Sequence, residues 1–320
     1  MLAIPNTSHH HMPASFVLVG IPGLGEGTIW ISISFCLIYI LSLLSNCLLL
    51  FIIKTELSLH GPMYFFLSML AMNDIAFPSC TVPKMLAIFW LEDEQVDAAG
   101  CLTQMFFVHS LSVIETGILA AMAYDRLIAI CFPLRYTTLL TYSVLVKIAS
   151  FIVVRAVIFI VPIPILVGHL QYCSNNIVAH SYCEHMAVVN VACGDTHINS
   201  IYGLVIALSI TGFDLLFIGL SYVKILQAVC HLPSKEARHK AVGTCGSHIC
   251  VIVITYLPGI FSFVTYRFGK KTVPHSVHIF LANIYILYPS FLNPVIYGVK
   301  TKQIRQRVQR YLLHINKPMP

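Results

Sequence analysis

Two carboxylates stand where their neighbours make them expensive. Asp74 lies in Met72-Asn73-Asp74-Ile75-Ala76 and Glu115 in Ser112-Val113-Ile114-Glu115-Thr116, both inside long apolar stretches. An ionisable side chain in such surroundings is a functional candidate by default. Facing carboxylates in a low dielectric cannot both ionise cheaply. They would share a proton or hold a cation such as Na+ between them; otherwise each is neutral and hydrogen-bonded to Asn46, Asn73 or Asn293. Arg126 follows Glu115 by eleven residues, about three turns and roughly 16 Å along the same helix face. Arg155 and Asp214 also interrupt apolar stretches, and the sequence offers neither a role.

Arg267 stands just past the apolar run 239–265 and is followed by Lys270 and Lys271. It either snorkels to lipid headgroups or turns inward to pair an anionic ligand group, a task its planar fork suits because it grips a carboxylate with two bonds. His109, at similar depth, would donate a further hydrogen bond or serve as a packing residue. Catalysis finds no support: no paired Cys/His metal spacing, phosphate-cradling glycine loop or nucleophile elbow occurs. The chain is therefore expected to be no enzyme and to hold no metal centre. The run His9-His10-His11 could bind a metal, but a short exposed tail of this kind more often carries no function. No nucleic-acid module fits.

The elements that must position these groups follow from composition. Hydrophobic residues make up 58% of the 320 residues, charged residues 10%, and mean hydropathy is +0.82. A soluble domain carries about a quarter charged residues, so lipid must be the solvent for much of this chain. Seven apolar stretches run at about 28–53, 63–89, 102–126, 142–167, 198–229, 239–265 and 274–299. Each can cross the roughly 30 Å of hydrocarbon as a helix, the state that satisfies its own backbone. Pro78, Pro83, Pro162, Pro164, Pro258, Pro289 and Pro294 fall inside them and predict kinks. The fold class is an all-α seven-span membrane bundle: an outer tail over 1–27, the bundle over 28–299 and a cytoplasmic tail over 300–320.

One set of connections holds Lys54, Arg126, Arg135, Lys147, Lys224, Lys235, Arg238 and Lys240, and the basic tail continues it. The opposite set holds Lys84, Arg267, Lys270 and Lys271 among six acidic residues from Glu92 to Asp195. The positive-inside rule places the first set in the cytoplasm and the N-terminus outside, at the plasma membrane. No cleavable signal peptide is expected, since residues 1–27 lack Lys and Arg, and Asn6-Thr7-Ser8 is a glycosylation sequon on the same outer side. Ile304, Val308, Tyr311 and Leu312 recur at helical spacing among arginines, which predicts a short amphipathic helix on the inner surface. Of eleven cysteines, Cys101, Cys173, Cys183 and Cys193 fall outside; four allow three pairings, and spacing does not choose among them.

Four separated motifs carry a resemblance: Pro62-Met63-Tyr64-Phe65-Phe66-Leu67; Met122-Ala123-Tyr124-Asp125-Arg126 leading into Ile130-Cys131-Phe132-Pro133; Lys240-Ala241 with Ser247-His248; and Asn293-Pro294-Val295-Ile296-Tyr297. Together, over nearly the whole chain, they resemble odorant receptors of the rhodopsin-like G-protein-coupled superfamily. Leu127-Ile128, the long loop at 168–197 and Tyr266-Arg267-Phe268-Gly269 are most similar to class I, families 51 and 52. The resemblance implies disulfides Cys101–Cys183 and Cys173–Cys193, and an intramembrane acid pair in Asp74 and Glu115. It assigns G-protein coupling and activation to Asp125, Arg126, Tyr222 and Lys240, with His248, Tyr256 and Tyr297. It also implies that Arg267 holds a ligand carboxylate, with His109, Ile160, Ile163, Met186, Gly203, Ala207 and Phe263 as the pocket wall. Phe263 and Met186 replace polar residues of a receptor for very short acids, which favours a longer alkyl chain. Tyr256 stands in place of the superfamily's tryptophan toggle, and Val108 in place of the amine receptors' aspartate.

The expected function is an odorant receptor that binds a medium-chain carboxylic acid and activates the olfactory stimulatory G protein, raising cyclic AMP. The alternatives are a seven-helix receptor for another lipid-like or peptide ligand, or a transporter with Asp74, Glu115 and Arg155 as a charge relay. Inverted repeats and matched helix interruptions, which mark transporters, are missing from the sequence.

Overall fold

The computed structural model describes residues 12–23, 25, 27–173, 175–231, 234–268 and 273–315; Asn6, His9 to His11, Lys270 and Lys271 lie outside them. Among the described residues seven helical spans are long and apolar enough to cross a membrane: Gly27–Thr55, Pro62–Leu91, Ala98–Cys131, Tyr142–Gly168, His197–Cys230, Cys245–Thr265 and His275–Lys300. The sixth belongs to a longer helix, Lys235–Phe268. The third and sixth helices outrun their apolar runs at the basic ends, where the chain leaves hydrocarbon and polar residues sustain the helix equally well.

Proline acts differently from place to place. The second span is two helices, Pro62–Ser79 and Val82–Leu91, divided at Cys80-Thr81 between Pro78 and Pro83. The fourth breaks at Val161, after which Pro162 opens the segment Pro162–Gly168. Pro258, Pro289 and Pro294 lie inside continuous helices. A proline in the first turn has no amide to lose, whereas an internal one leaves a carbonyl for neighbours to satisfy. The third span is the most enclosed of the seven and the fifth and sixth are the least.

At the basic end a helix, Lys302–Ile315, follows the seventh span. Ile304 is buried, Val308 packs on the bundle core, and Arg307 pairs with Glu56 at 3.0 Å; the side chains of Tyr311 and Leu312 are outside the described set. At the opposite end the chain forms a three-stranded sheet that the sequence did not announce. Strand β1 (Ser15–Leu18) pairs antiparallel with β2 (Gln95–Asp97) and parallel with β3 (Ile177–Val178). Phe16 and Leu18 are fully buried while Ser15 and Val17 are less so, the period-two alternation of a half-buried strand. The sheet runs straight into Gly20, whose φ of +71° suits glycine and whose missing Cβ leaves room for Phe89, 2.8 Å from where one would stand. Disulfides Cys101–Cys183 and Cys173–Cys193 tie the loop between the fourth and fifth spans to the third span and to itself. Strand, loop and disulfides together roof the bundle.

Candidate functional site

Beneath that roof is a cavity of about 550 Å³, within the range of small-molecule sites. His109, Ile160, Ile163, Met186, Gly203, Ala207, Phe263 and Arg267, the residues singled out from the sequence, all line it. They converge from the third, fourth, fifth and sixth spans and the roof loop. The wall is largely apolar, and Val108 stands in the lining where amine receptors place a carboxylate.

The polar groups gather at the roofed end. Arg267 Nη1 donates to the Ser200 carbonyl at 2.8 Å and to Ser200 Oγ at 3.2 Å, and the guanidinium lies over the Phe263 ring, 5.3 Å from its centroid. Arg267 thus turns into the bundle rather than out to the headgroups. Gly203 makes room for it. A Cβ there would stand 2.6 Å from His185 Cε1 and 2.9 Å from Arg267 Nη2. The His185 ring meets the His109 ring edge to face at 6.2 Å. Arg267, His185 and His109 therefore form one donor cluster, and the sequence reading missed His185. It lies in the loop helix His185–Val189, whose first turn is capped by Glu184 accepting from the Ala187 amide at 2.7 Å. Burial, then the neighbouring His109 and Arg267, lowers the His185 pKa to about 3, so its ring is neutral at ordinary pH. Deeper in the cavity Ser112 Oγ and the Tyr285 hydroxyl are 2.6 Å apart, a second polar point the sequence did not single out.

Below the cavity lie the intramembrane ionisable groups. Asp74 accepts from Asn293 Nδ2 at 3.0 and 3.2 Å, and Glu115 accepts from Thr255 Oγ1 at 3.3 Å. Of the three asparagines considered, Asn293 is the one that meets a carboxylate; Asn46 instead donates to the Ser42 and Ser290 carbonyls. Arg155 and Asp214, left without a role by the sequence, form a two-pronged ion pair between the fourth and fifth spans at 2.6 and 2.9 Å. Arg155 Nη2 also reaches the Val113 carbonyl at 3.4 Å, and Gly117 admits the guanidinium, since a Cβ there would lie 2.9 Å from Nη2. Two opposite charges in separate apolar runs were the available signal, because neither is stable there alone. The buried Tyr256 lines the cavity floor.

At the basic end of the bundle Arg126 pairs with Asp125 at 3.1 Å, and the Tyr136 hydroxyl donates to Asp125 at 2.6 Å. The Tyr222 hydroxyl and His248 Nδ1, on the fifth and sixth spans, are 2.8 Å apart. Tyr297 is buried nearby in the core cluster that also holds Ile304. Lys240 falls in the sixth helix, its side chain outside the described set.

A seven-span bundle with a roofed cavity at one end and an Asp-Arg pair at the other is a membrane receptor. Its family is settled by likeness to known proteins. The chain belongs to the olfactory receptors: the family model described as "Olfactory receptor" matches residues 35–315. Human olfactory receptor 52K1 is 54% identical over 96% of this chain and 97% of its own length. Human olfactory receptor 52K2 is 53% identical over 92% of this chain and 94% of its own. Human olfactory receptor 52D1 is 48% identical over 98% of each. The protein is accordingly a multi-pass plasma-membrane receptor of the rhodopsin-like G-protein-coupled class, which binds odorants, couples to G proteins and belongs to a family without enzymatic activity.

Proposed function

We propose that this receptor responds to carboxylic acids of medium chain length and signals through a stimulatory G protein to raise cyclic AMP. The observation that carries the reading is the Arg267 guanidinium, with His185 and His109 beside it, at the outer end of an otherwise apolar cavity. A carboxylate offers Arg267 a charged acceptor in place of the Ser200 carbonyl, and charge-assisted bonds of this kind are about twice as strong as neutral ones. The alkyl chain then fills the apolar wall, gaining about 0.8 kcal/mol per buried CH₂. The polar end faces outside, as does the N-terminus with Asn6, and the helix Lys302–Ile315 lies on the cytoplasmic surface. A sodium ion near Asp74 and Glu115 is part of the same reading.

Signal transfer follows from helix stiffness. Drawing Arg267 toward the anion moves the outer end of the sixth helix inward, so its inner end swings away from Arg126 and opens a cleft for the G protein. The ligand drives this by its affinity difference between the two states. Arg267→Ala tests the reading: loss of a charge-assisted pair costs about 1.5–3 kcal/mol, roughly a 10- to 150-fold rise in EC50 for octanoic acid, with surface expression retained. A dose response equal to the parent's would remove Arg267, and the acid, from the account.

A further inference from the structure

We propose that odorants reach the cavity sideways from the lipid bilayer, through a slot between the fifth and sixth spans. Of the residues that line the cavity, those exposed on the outside of the bundle are Leu208, Gly212, Ile260 and Val264. All belong to these two spans. Leu208 is 58% exposed, Val264 44% and Ile260 40%, on helices whose outer faces meet lipid. The roof offers no comparable gap among the described residues. Of the loop residues that line the cavity, Tyr182 and His185 are at most 5% exposed and Glu184 and Met186 are half-buried, none as open as the slot residues, and β1 covers the loop with Phe16 and Leu18 fully buried.

The slot is unobstructed at Gly212. A Cβ built on Gly212 would meet nothing within 4 Å, whereas one on Gly203 or Gly259 would collide with the cavity's own side chains. The sixth helix packs broadly on the seventh and only sparsely on the fifth, which leaves this seam open.

The bilayer is also where an apolar odorant collects. At about 0.8 kcal/mol per CH₂, each methylene enriches a solute in hydrocarbon roughly fourfold over water. The slot therefore draws on a reservoir far richer than the aqueous phase. For an acid, which rests on the functional reading above, the register also fits. Seven residues separate Ile260 from Arg267, roughly 10 Å of helix. A carboxylate at headgroup depth then lies level with Arg267 while its chain lies along the slot.

Detailed balance supplies the test. An obstacle in an access path slows arrival and departure by the same factor and leaves their ratio alone; a change in the binding site alters the ratio. The experiment uses the full-length receptor in nanodiscs, with octanoic acid and 1-octanol as probes and stopped-flow fluorescence giving both rate constants. The series Gly212→Ala, Gly212→Leu and Gly212→Phe fills the slot stepwise, and Ile260→Trp narrows it from the facing helix. The expected result is a graded fall in both the association and the dissociation rate, about tenfold or more in each for Gly212→Phe; Gly212 and Ile260 also line the cavity, so Kd shifts with them to some extent, and the diagnostic is that both rates fall. Unchanged rates in both Gly212→Phe and Ile260→Trp, in receptor that melts like the parent, overturn the slot, as does a change confined to dissociation. Arg267→Ala separates the two proposals: its failure to affect octanoic acid sinks the acid reading and leaves the slot standing, while normal rates in the slot variants do the reverse.

Discussion

Neutralising Asp214 should unseat the receptor, and neutralising its partner as well should restore it. Arg155 and Asp214 meet through two short bonds at 2.6 and 2.9 Å, with side chains only 9% and 2% exposed. Asp214→Leu would strand the guanidinium, whose other contact is the Val113 carbonyl at a long 3.4 Å. Removing one member of a buried pair costs about 3–5 kcal/mol because the survivor stays charged and unpaired. That is a large share of the roughly 5–15 kcal/mol that holds a folded domain together, so Asp214→Leu should reach the cell surface poorly. Arg155→Met with Asp214→Leu removes both charges, with Met close to Arg in length and Leu filling the space of the lost ion pair. Replacing a whole buried pair in this way is neutral or better elsewhere; here the lost Val113 bond subtracts about 1 kcal/mol. Flow cytometry of tagged receptor and thermal unfolding in detergent, run on parent, both singles and the double, complete the cycle. The expected coupling is several kcal/mol, with the double above Asp214→Leu in both assays. If Asp214→Leu expresses and melts like the parent, the pair does not hold the fourth and fifth spans together.

Other outcomes follow from the same geometry. Gly203→Ala places a methyl 2.6 Å from His185 and 2.9 Å from Arg267, so acid responses should fall at least tenfold in potency, or ~1.4 kcal/mol, at parental expression; an unshifted EC50 would contradict it. Asp125→Asn removes the 3.1 Å pair to Arg126, whose side chains are 1% and 12% exposed, and should raise ligand-free G-protein signalling several-fold; an unchanged baseline argues against restraint by Asp125. The roof should loosen in acid. Burial, then His109 and Arg267, lowers His185 to about 3, while burial, then His278 and His275, holds His180 well below its ordinary 6.5. An opened loop binds protons near the ordinary value, so roof stability is full above 6.5 and falls as pH drops below it, by up to ~1.4 kcal/mol per unit for each ring. Hydrogen exchange of the loop at pH 7.5 and pH 5 reads this directly, and equal protection at both would refute it.

The spans were legible because hydrocarbon tolerates so few sequences: a run of apolar residues long enough to cross has one available conformation. Arg267 and His109 were legible for a related reason, since each is a polar group whose surroundings give it something to explain. His185 was not. Its position depends on how a thirty-residue loop is threaded beneath β1 and drawn down by Cys183, and nothing local to His185 records that path. Strand β1, at four residues, and β3, at two, are too short for alternation to register as a signal. The Arg155–Asp214 pair fell between these cases. Each residue was conspicuous, but pairing them requires knowing that the fourth and fifth spans are neighbours at that depth, which connectivity alone does not say. Prolines were visible as potential breaks, yet whether Pro83 begins a new helix or Pro289 rides inside one depends on packing beyond the segment.

The polar groups inside the bundle divide the helices into a fixed part and a movable one. The third, fourth and fifth spans are bound by the Arg155–Asp214 ion pair and its reach to the Val113 carbonyl, a contact too costly to break and remake during signalling. The sixth is tied differently. Its hydrogen bonds to other spans among the described residues include Thr255 to Glu115, Thr265 to His278, Tyr222 to His248 and Arg267 to Ser200, each worth about 1 kcal/mol net. Their sum is on the order of the ~5.5 kcal/mol that inverts a two-state equilibrium from 1:99 to 99:1. A small odorant can supply that much by binding one state better than the other, whereas it could not pull apart a buried ion pair. The helix free to move is thus also the helix that carries Arg267 over the cavity and forms one side of its opening to the bilayer. Admission of the ligand, its capture and the movement of the far end of this helix are three consequences of packing one span sparsely on the fifth and tying it by hydrogen bonds rather than by a buried ion pair.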